Sequence, residues 1–471
     1  MKKLVFYFLT ASTLFSACVA DDDDLPTPQK GIVVTTNKPE PLDDITYRLS
    51  GTITGTDLNS VSTRGFIVST YPNAPELPSP IAGDTTRTVY IFAKSNYNFS
   101  LNQTFHLGVK YYVRAYANLK GETHYGEEYI VAPGAAPANC NVVNVTGGIS
   151  APTTWTAGNV YLVKGSLPIT STLTIEPGVV VKLQGNDVNG SFDIRNGGRV
   201  IANGTPANRI VFTSIYDDSF CGDSNGDGAA TSPNKGDWND IEMDGGNNNS
   251  FTYCDFFYGG SYNGYVVYVG ISSTSFTFDH CRFAHTKNSA SDYAAFHGGG
   301  YMIDAGESQL TNCVFYDNDR PLYCNSYYTV DASNSFHNPS DPSQTNKHNG
   351  IFMWHASNPA GATVSYNVTE VPYVMTSQFT GGGSAATGTI NFAPGAIMKF
   401  LSPGLGIARA AGRTVNMGAG AILTSYKDDA HGGDTNGDGT ASTPATGDWD
   451  GFWDYVSSKY ISGPYILYAA H

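Results

Sequence analysis

Two short stretches hold the residues best suited to chemistry. GDSNGDG at 222–228 and GDTNGDG at 433–439 each set Asp, Asn and Asp at alternate positions and close on Gly. Asp223, Asn225 and Asp227 in the first, and Asp434, Asn436 and Asp438 in the second, converge hard oxygen donors within one tight turn. Ca²⁺ takes such oxygens at about 2.3–2.6 Å in a flexible shell. Further carboxylates stand at matched places. Asp217 and Asp218 precede the first loop, as Asp428 and Asp429 precede the second. Asp237 and Asp448 follow, each inside Gly-Asp-Trp. All are candidate ligands, with one Ca²⁺ expected per loop.

The loops resemble the first half of the EF-hand and dockerin calcium loop, but not the second. The twelfth position, where the EF-hand carries a bidentate Glu, is Asn234 in one copy and Ala445 in the other. No flanking helices are evident. The expectation is a structural calcium site, a staple rather than a reaction centre.

The loops belong to a longer repeat. FTSIYDDSFCGDSNGDGAATSPNKGDW (212–238) aligns without a gap on LTSYKDDAHGGDTNGDGTASTPATGDW (423–449), each residue 211 positions from its counterpart. Upstream, Thr174 to Lys182 (TIEPGVVVK) aligns with Asn391 to Lys399 (NFAPGAIMK). So long a shared register marks a duplicated structural unit, about 174–240 and 391–451. A catalytic site is rarely duplicated in this way, which assigns the Asp-Asp pairs to metal rather than to acid–base work.

The elements that position these loops read as strands. Aromatic content is 13%, charged content only 14%, and Gly numbers 52 among 471 residues. Short runs of Thr, Val, Tyr and Phe punctuated by Gly, Asn and Pro give an all-β chain. Cys254-Asp-Phe256, Cys281-Arg-Phe283 and Cys313-Val-Phe315 recur 27 and 32 residues apart, the length of a solenoid coil. Residues two apart in a strand share a face, so Cys stacks on Cys and Phe on Phe inside a tube. These cysteines are expected as reduced, buried thiols. With NGGRVIANGTPANRIVFTS, the pattern resembles right-handed parallel β-helix proteins of the pectate-lyase-like superfamily, over about 330 residues (140–471). That resemblance implies a fold and leaves function open, since the superfamily hosts lyases, glycoside hydrolases, adhesins and tailspikes.

For an enzyme, Asp279, His280, Arg282, His285, His297, Asp317, Asp319 and Arg320 are candidates, but no paired-Asp or Arg-x-Lys motif organises them. They read as polar turns, and no catalytic residue is assigned. Trp155, Trp238, Trp354, Trp449 and Trp453 are candidates for sugar stacking, with Trp238 and Trp449 placed at equivalent repeat positions as anchors.

Upstream of the solenoid, residues 1–17 have the charged start, apolar run and small residues of a signal peptide. FSAC resembles the lipobox of bacterial lipoproteins, with Phe15 where Leu is usual, and implies that Cys18 is lipidated. Residues 18–30 include Asp21 to Asp24, a solvated acidic tether that resembles a surface-export signal. Residues 31–133, with RGFIVST and YYVRAYANLKGETHYGEEYIVAP, resemble fibronectin type III-like sandwich modules. The formal charge of −15 excludes nucleic acid as a partner. The chain therefore reads as an outer-membrane, surface-exposed lipoprotein. Its expected role is non-enzymatic adhesion to an extracellular glycan or protein, with a polysaccharide lyase or glycoside hydrolase as the alternative.

Overall fold

The computed structural model describes residues 31–42, 46–69, 87–91, 97–105, 111–131, 140–185, 190–228, 230–246, 248–261, 264–270, 275–287, 293–298, 308–325, 328–354, 361, 363–377, 379–380 and 387–471. Cys18 and the acidic tether lie outside these residues. Strands dominate, with one short 3-10 turn at Leu58–Ser60 and no α-helix among the described residues.

Segments 49–101 and 111–131 belong to the smaller of two compact units. The strands that precede the solenoid form two antiparallel sheets, of four and five strands. The longest pair sets Val61–Ser69 against Tyr111–Leu119. Phe66 from one sheet meets Phe99 from the other, ring centroids 5.0 Å apart, as in a sandwich core.

Residues 132–471 form most of the larger unit, a right-handed parallel β-helix. Its chain visits three faces in turn. The first, here the Thr face, stacks seven strands from Thr153–Trp155 to Thr329–Val330. The second, the Cys face, stacks seven from Asn141–Asn144 to Val314–Tyr316. The third, the long face, stacks ten from Leu167–Ile169 to Ile422–Ser425. Pairing along every face is parallel, as in Phe256 on Phe283 and Phe283 on Phe315.

The recurrent Cys-x-Phe pattern builds the core as expected. Phe212, Phe256, Phe283 and Phe315 stack in one column at centroid separations of 5.1, 4.9 and 4.8 Å. Cys254, Cys281 and Cys313 are fully buried free thiols that donate to the carbonyls of Ala202, Phe251 and Phe278. Inward side chains on parallel strands are side by side, so this column behaves as a ladder of small apolar groups.

The duplicated unit recurs with a rotation. In the first copy the strand that precedes the acidic loop, Ile210–Ser214, lies on the Cys face, and the chain leaves the loop for Ile241–Asp244 on the long face. In the second copy the equivalent strand, Ile422–Ser425, lies on the long face, and the loop leads to Gly451–Asp454 in a separate four-stranded sheet. The same sequence unit thus sits one face further round the solenoid.

Candidate functional site

Each acidic loop grows from the end of a buried strand and is held by one set of hydrogen bonds. Asp223 accepts backbone N–H from Gly226, Asp227 and Gly228 at 2.7, 3.2 and 2.8 Å. Asp434 accepts from Asp438 and Gly439 at 3.1 and 2.8 Å. Such turns need left-handed backbone, and Gly226, Gly228, Gly437 and Gly439 supply it, with φ between 67° and 80°. Asn225 Nδ2 donates to Asp227 and Asn436 Nδ2 to Asp438, at 2.9 and 3.0 Å. The Asn436 Oδ1 accepts the Asp438 N–H at 3.3 Å, whereas the Asn225 Oδ1 is left without a partner.

The oxygens left over define the site. Oδ1 of Asp218, Asn225 and Asp227 is buried in the first loop without a hydrogen-bond partner, as is Oδ1 of Asp429 in the second. Asp429, Asp434 and Asp438 bring carboxylate oxygens within 4.8 Å of one another. Crowding of like charge follows. Burial and then the Asp223 carboxylate push Asp218 up, and burial and then Asp434 push Asp429 up. Asp223 itself is pulled down, first by the Gly228 N–H. In the second loop Asp429, which bears the orphaned oxygen, lies in that cluster, a hard donor set of the kind Ca²⁺ takes; among the described residues the first-loop carboxylates are not gathered so closely.

Not every expected ligand joins this cluster. Asp217 accepts from Thr213 Oγ1 at 2.6 Å, and Asp428 from Thr424 Oγ1 at 2.6 Å. Asp237 accepts from Ser214 and the Asn234 N–H at 2.6 and 2.8 Å, and Asp448 from Ser425 and the Ala445 N–H at 2.7 and 2.9 Å. These four are latches that close the loop onto its own strand. Trp238 and Trp449, fully buried beside them, donate Nε1–H to the carbonyls of Phe257 and Leu467 at 2.7 and 2.6 Å.

A buried lysine lies beneath each loop, and sequence reasoning gave it no role. Lys182 Nζ donates to the Gly222 carbonyl at 2.8 Å. Lys399 Nζ donates to the Gly433 carbonyl at 2.8 Å and to Thr435 Oγ1 at 2.9 Å. Both are fully buried. Burial lowers both ammonium groups, Lys399 to about 8, against the attraction of the nearby aspartates. The repeat alignment had paired the two lysines. Their depth is what reveals them as counter-charges.

The remaining candidates are dispersed. His280 pairs with Asp279 at 2.9 Å, and His285 with Asp317 at 2.6 Å. Lys235, from the first loop, reaches Asp317 at 2.9 Å. Arg282 joins Arg209 in clasping the buried Asp255; burial disfavours that carboxylate's charge, and the two guanidinium groups overcome it and hold it down. His297 stacks on Tyr323 at 4.9 Å. Arg320 lies 4.6 Å over the Phe352 ring. Among the described residues, Asp319 is not gathered with other carboxylates into a ligand cluster. Trp155, like Trp238 and Trp449, is buried, Trp354 donates to the Gly298 carbonyl, and Trp453 packs edge-on against Tyr460.

Two further features were not legible in advance. Cys140 and Cys221 form a disulfide, which ties the start of the solenoid to the root of the first loop. On the long face, a cleft of about 530 Å³ is lined by Asp193, Arg195, Asn196, Glu242 and Asp244. Asp193 and Glu242 are register partners on adjacent strands. Burial, and next Asp193, raise Glu242.

The three-faced stack of parallel strands places the chain among parallel β-helix proteins. Its sequence is similar over residues 147–294 to a family described as pectate-lyase like beta helix domain. No curated protein and no solved structure matches the chain.

Proposed function

We propose that the chain is a lipid-anchored, cell-surface binding protein whose β-helix is stapled by two calcium ions. Adhesion to an extracellular glycan or protein is its role, and it performs no catalysis. The single observation that carries the staple is the pair of acidic loops, each turned around its leading Asp by a Gly N–H and each keeping a buried, unpartnered carboxylate oxygen, on Asp218 and on Asp429. Asp218, Asp223, Asn225 and Asp227 would hold one ion, and Asp429, Asp434, Asn436 and Asp438 the other. Calcium would neutralise carboxylates that repel one another, fixing each loop across neighbouring coils. Cys18 supplies the anchor, residues 18–30 the tether, and the N-terminal sandwich, fibronectin type III-like in sequence, a spacer. A site at a hundredfold excess of calcium over its Kd adds about 2.7 kcal/mol. Thermal melting with calcium and with chelator tests this: the transition rises with calcium and stays put in an Asp223→Ala/Asp434→Ala variant. A transition indifferent to calcium removes the proposal.

One observation favours a second reading, a polysaccharide lyase or glycoside hydrolase. The long-face cleft sets Asp193 and Glu242 side by side, with the Glu242 carboxyl pushed up. A raised carboxyl with a second carboxyl beside it suits acid–base cleavage of a glycosidic bond. New reducing ends or unsaturated products from a panel of polysaccharides, lost in Glu242→Gln, would establish it over the first.

A further inference from the structure

The three faces of the solenoid differ in what covers them. On the Cys face the first acidic loop lies over the sheet, with Phe220 stacked on Phe257 at 6.0 Å. On the long face, Tyr323, Phe352, Val374 and Lys399 point outward in register yet are buried. The Thr face is different. Thr154, Thr174, Ile201, Ser250, Thr277 and Gln309 lie along one outward column and are half-exposed or exposed, polar at every coil but that of Ile201. Asn203, Thr252, Asp279 and Thr311 form a second column beside it, also open to solvent.

The corner that borders the second column carries an aromatic edge. Tyr253, His280 and Asn312 occupy the same turn in successive coils, with φ of 49°, 54° and 54°. Asn and His tolerate this left-handed backbone better than Tyr does, so Tyr253 is the strained member, and such strain gathers at functional positions. The Tyr253 and His280 rings stack at 4.5 Å and are half-exposed. Asp279 is fixed beneath them. It accepts from His280 Nδ1 and Thr311 Oγ1 at 2.9 Å and from Asn312 Nδ2 at 2.8 Å.

We infer that the Tyr253–His280 corner and the Thr-face columns beside it bind an extended neutral glycan lying along the solenoid axis. This rests on the binding reading above and names its site and ligand class. Hydroxyl and amide groups both donate and accept, as sugar hydroxyls do. From Ser250 to Gln309 and from Asn203 to Thr311 they recur at the strand spacing of about 4.8 Å, so successive coils offer a polar contact to a repeating polymer. The half-exposed rings offer apolar faces of the kind that a pyranose ring covers. Asp279 and the net charge of −15 repel uronates and sulfated chains. A peptide is disfavoured, because the strands here pair on both sides and leave no edge to extend.

The test is a depletion assay with the full chain in calcium. Cellulose, chitin, mannan and xylan are the neutral probes, and polygalacturonate is the acidic one. Tyr253→Asn and His280→Asn keep the turn while removing the rings, and Thr277→Arg places charge on an open strand position should the corner variants fail to fold. The wild type binds at least one neutral polymer and leaves polygalacturonate in solution. Each folded variant, verified by its melting transition, weakens that binding at least tenfold. Unchanged binding in the variants overturns this site and leaves the binding role standing. Binding to no neutral polymer, or to polygalacturonate alone, overturns the inference. Release of cleaved products overturns the non-enzymatic reading instead.

Discussion

The two acidic loops are near-copies in chemistry and unlike in how they are fastened. Thr213 with Asp217, Ser214 with Asp237 and the Lys182 ammonium in one match Thr424 with Asp428, Ser425 with Asp448 and Lys399 in the other. The anchors differ. Cys221, at φ 59°, is disulfide-bonded to Cys140, whereas its counterpart is Gly432, at φ 80°. A Cβ at Gly432 would overlap the Pro372 ring, so the second loop seats directly on an earlier coil. The first loop instead reaches forward, with Lys235 on Asp317. What was kept through duplication is the acidic set, its latches and its buried lysine. What drifted is the attachment, and the retained acidic set is the one on which the calcium proposal rests.

Breaking the anchor should have the largest effect. The disulfide closes a segment with a sequence separation of 81, and Cys221→Gly makes the first loop like the second. Chain-entropy reasoning puts the loss at about 4 kcal/mol. Urea unfolding should show that loss, and adding reductant to the wild type should reproduce it. Equal stability with and without the bond would mean that the two anchors are equivalent.

Next in size are the buried lysines. Lys182→Met or Lys399→Met removes a charged donor from a loop carbonyl, at about 2 kcal/mol each by urea unfolding. Lys399 should cost more, because it also donates to Thr435. A stabilising Lys399→Met would show that burying the ammonium outweighs its bonds.

pH sharpens the comparison further. Asp218 and Asp429 are raised above the ordinary carboxyl value in the calcium-free fold. A raised carboxyl binds its proton more tightly folded than unfolded, so the calcium-free form gains stability as pH falls through that raised value and lacks that gain at neutral pH. Protons also compete with the metal. The calcium-induced rise in Tm should therefore shrink steadily as pH falls from 7 into the carboxyl range. A constant rise would remove these two aspartates from the site.

The smallest effect belongs to Lys235→Ala. Its pairing with Asp317 is more than one-third exposed, so under about 1 kcal/mol is expected. Hydrogen exchange should nonetheless quicken in residues 230–238 and not in 441–449.

Much of this was legible in the sequence, for physical reasons. A solenoid repeats its core at every coil, so Cys-x-Phe recurring at coil length announced stacked cysteines and phenylalanines. The acidic loops were legible because Gly and Asx residues have few other uses at that spacing. Pairing of Cys140 with Cys221 was not, since spacing alone does not set connectivity. Nor was the rotation of the second copy, because each copy is internally identical in face order and only the intervening coils shift the phase. The hydroxyl partners of Asp217 and Asp237, Thr213 and Ser214, were not legible, because sequence shows a carboxylate without showing what bonds to it. Tyr253 was hidden for a related reason, and His280 was read only as a polar turn: a left-handed corner is announced by Gly or Asn, and aromatic side chains there give no such signal.

The most direct test is metal content. Purified chain, equilibrated with calcium and passed through a desalting column, should retain two calcium ions. Asp223→Asn should retain the ion of the second loop, Asp434→Asn that of the first, and the double variant neither. Retention of no calcium by the wild type, or of two ions by the double variant, would contradict the staple.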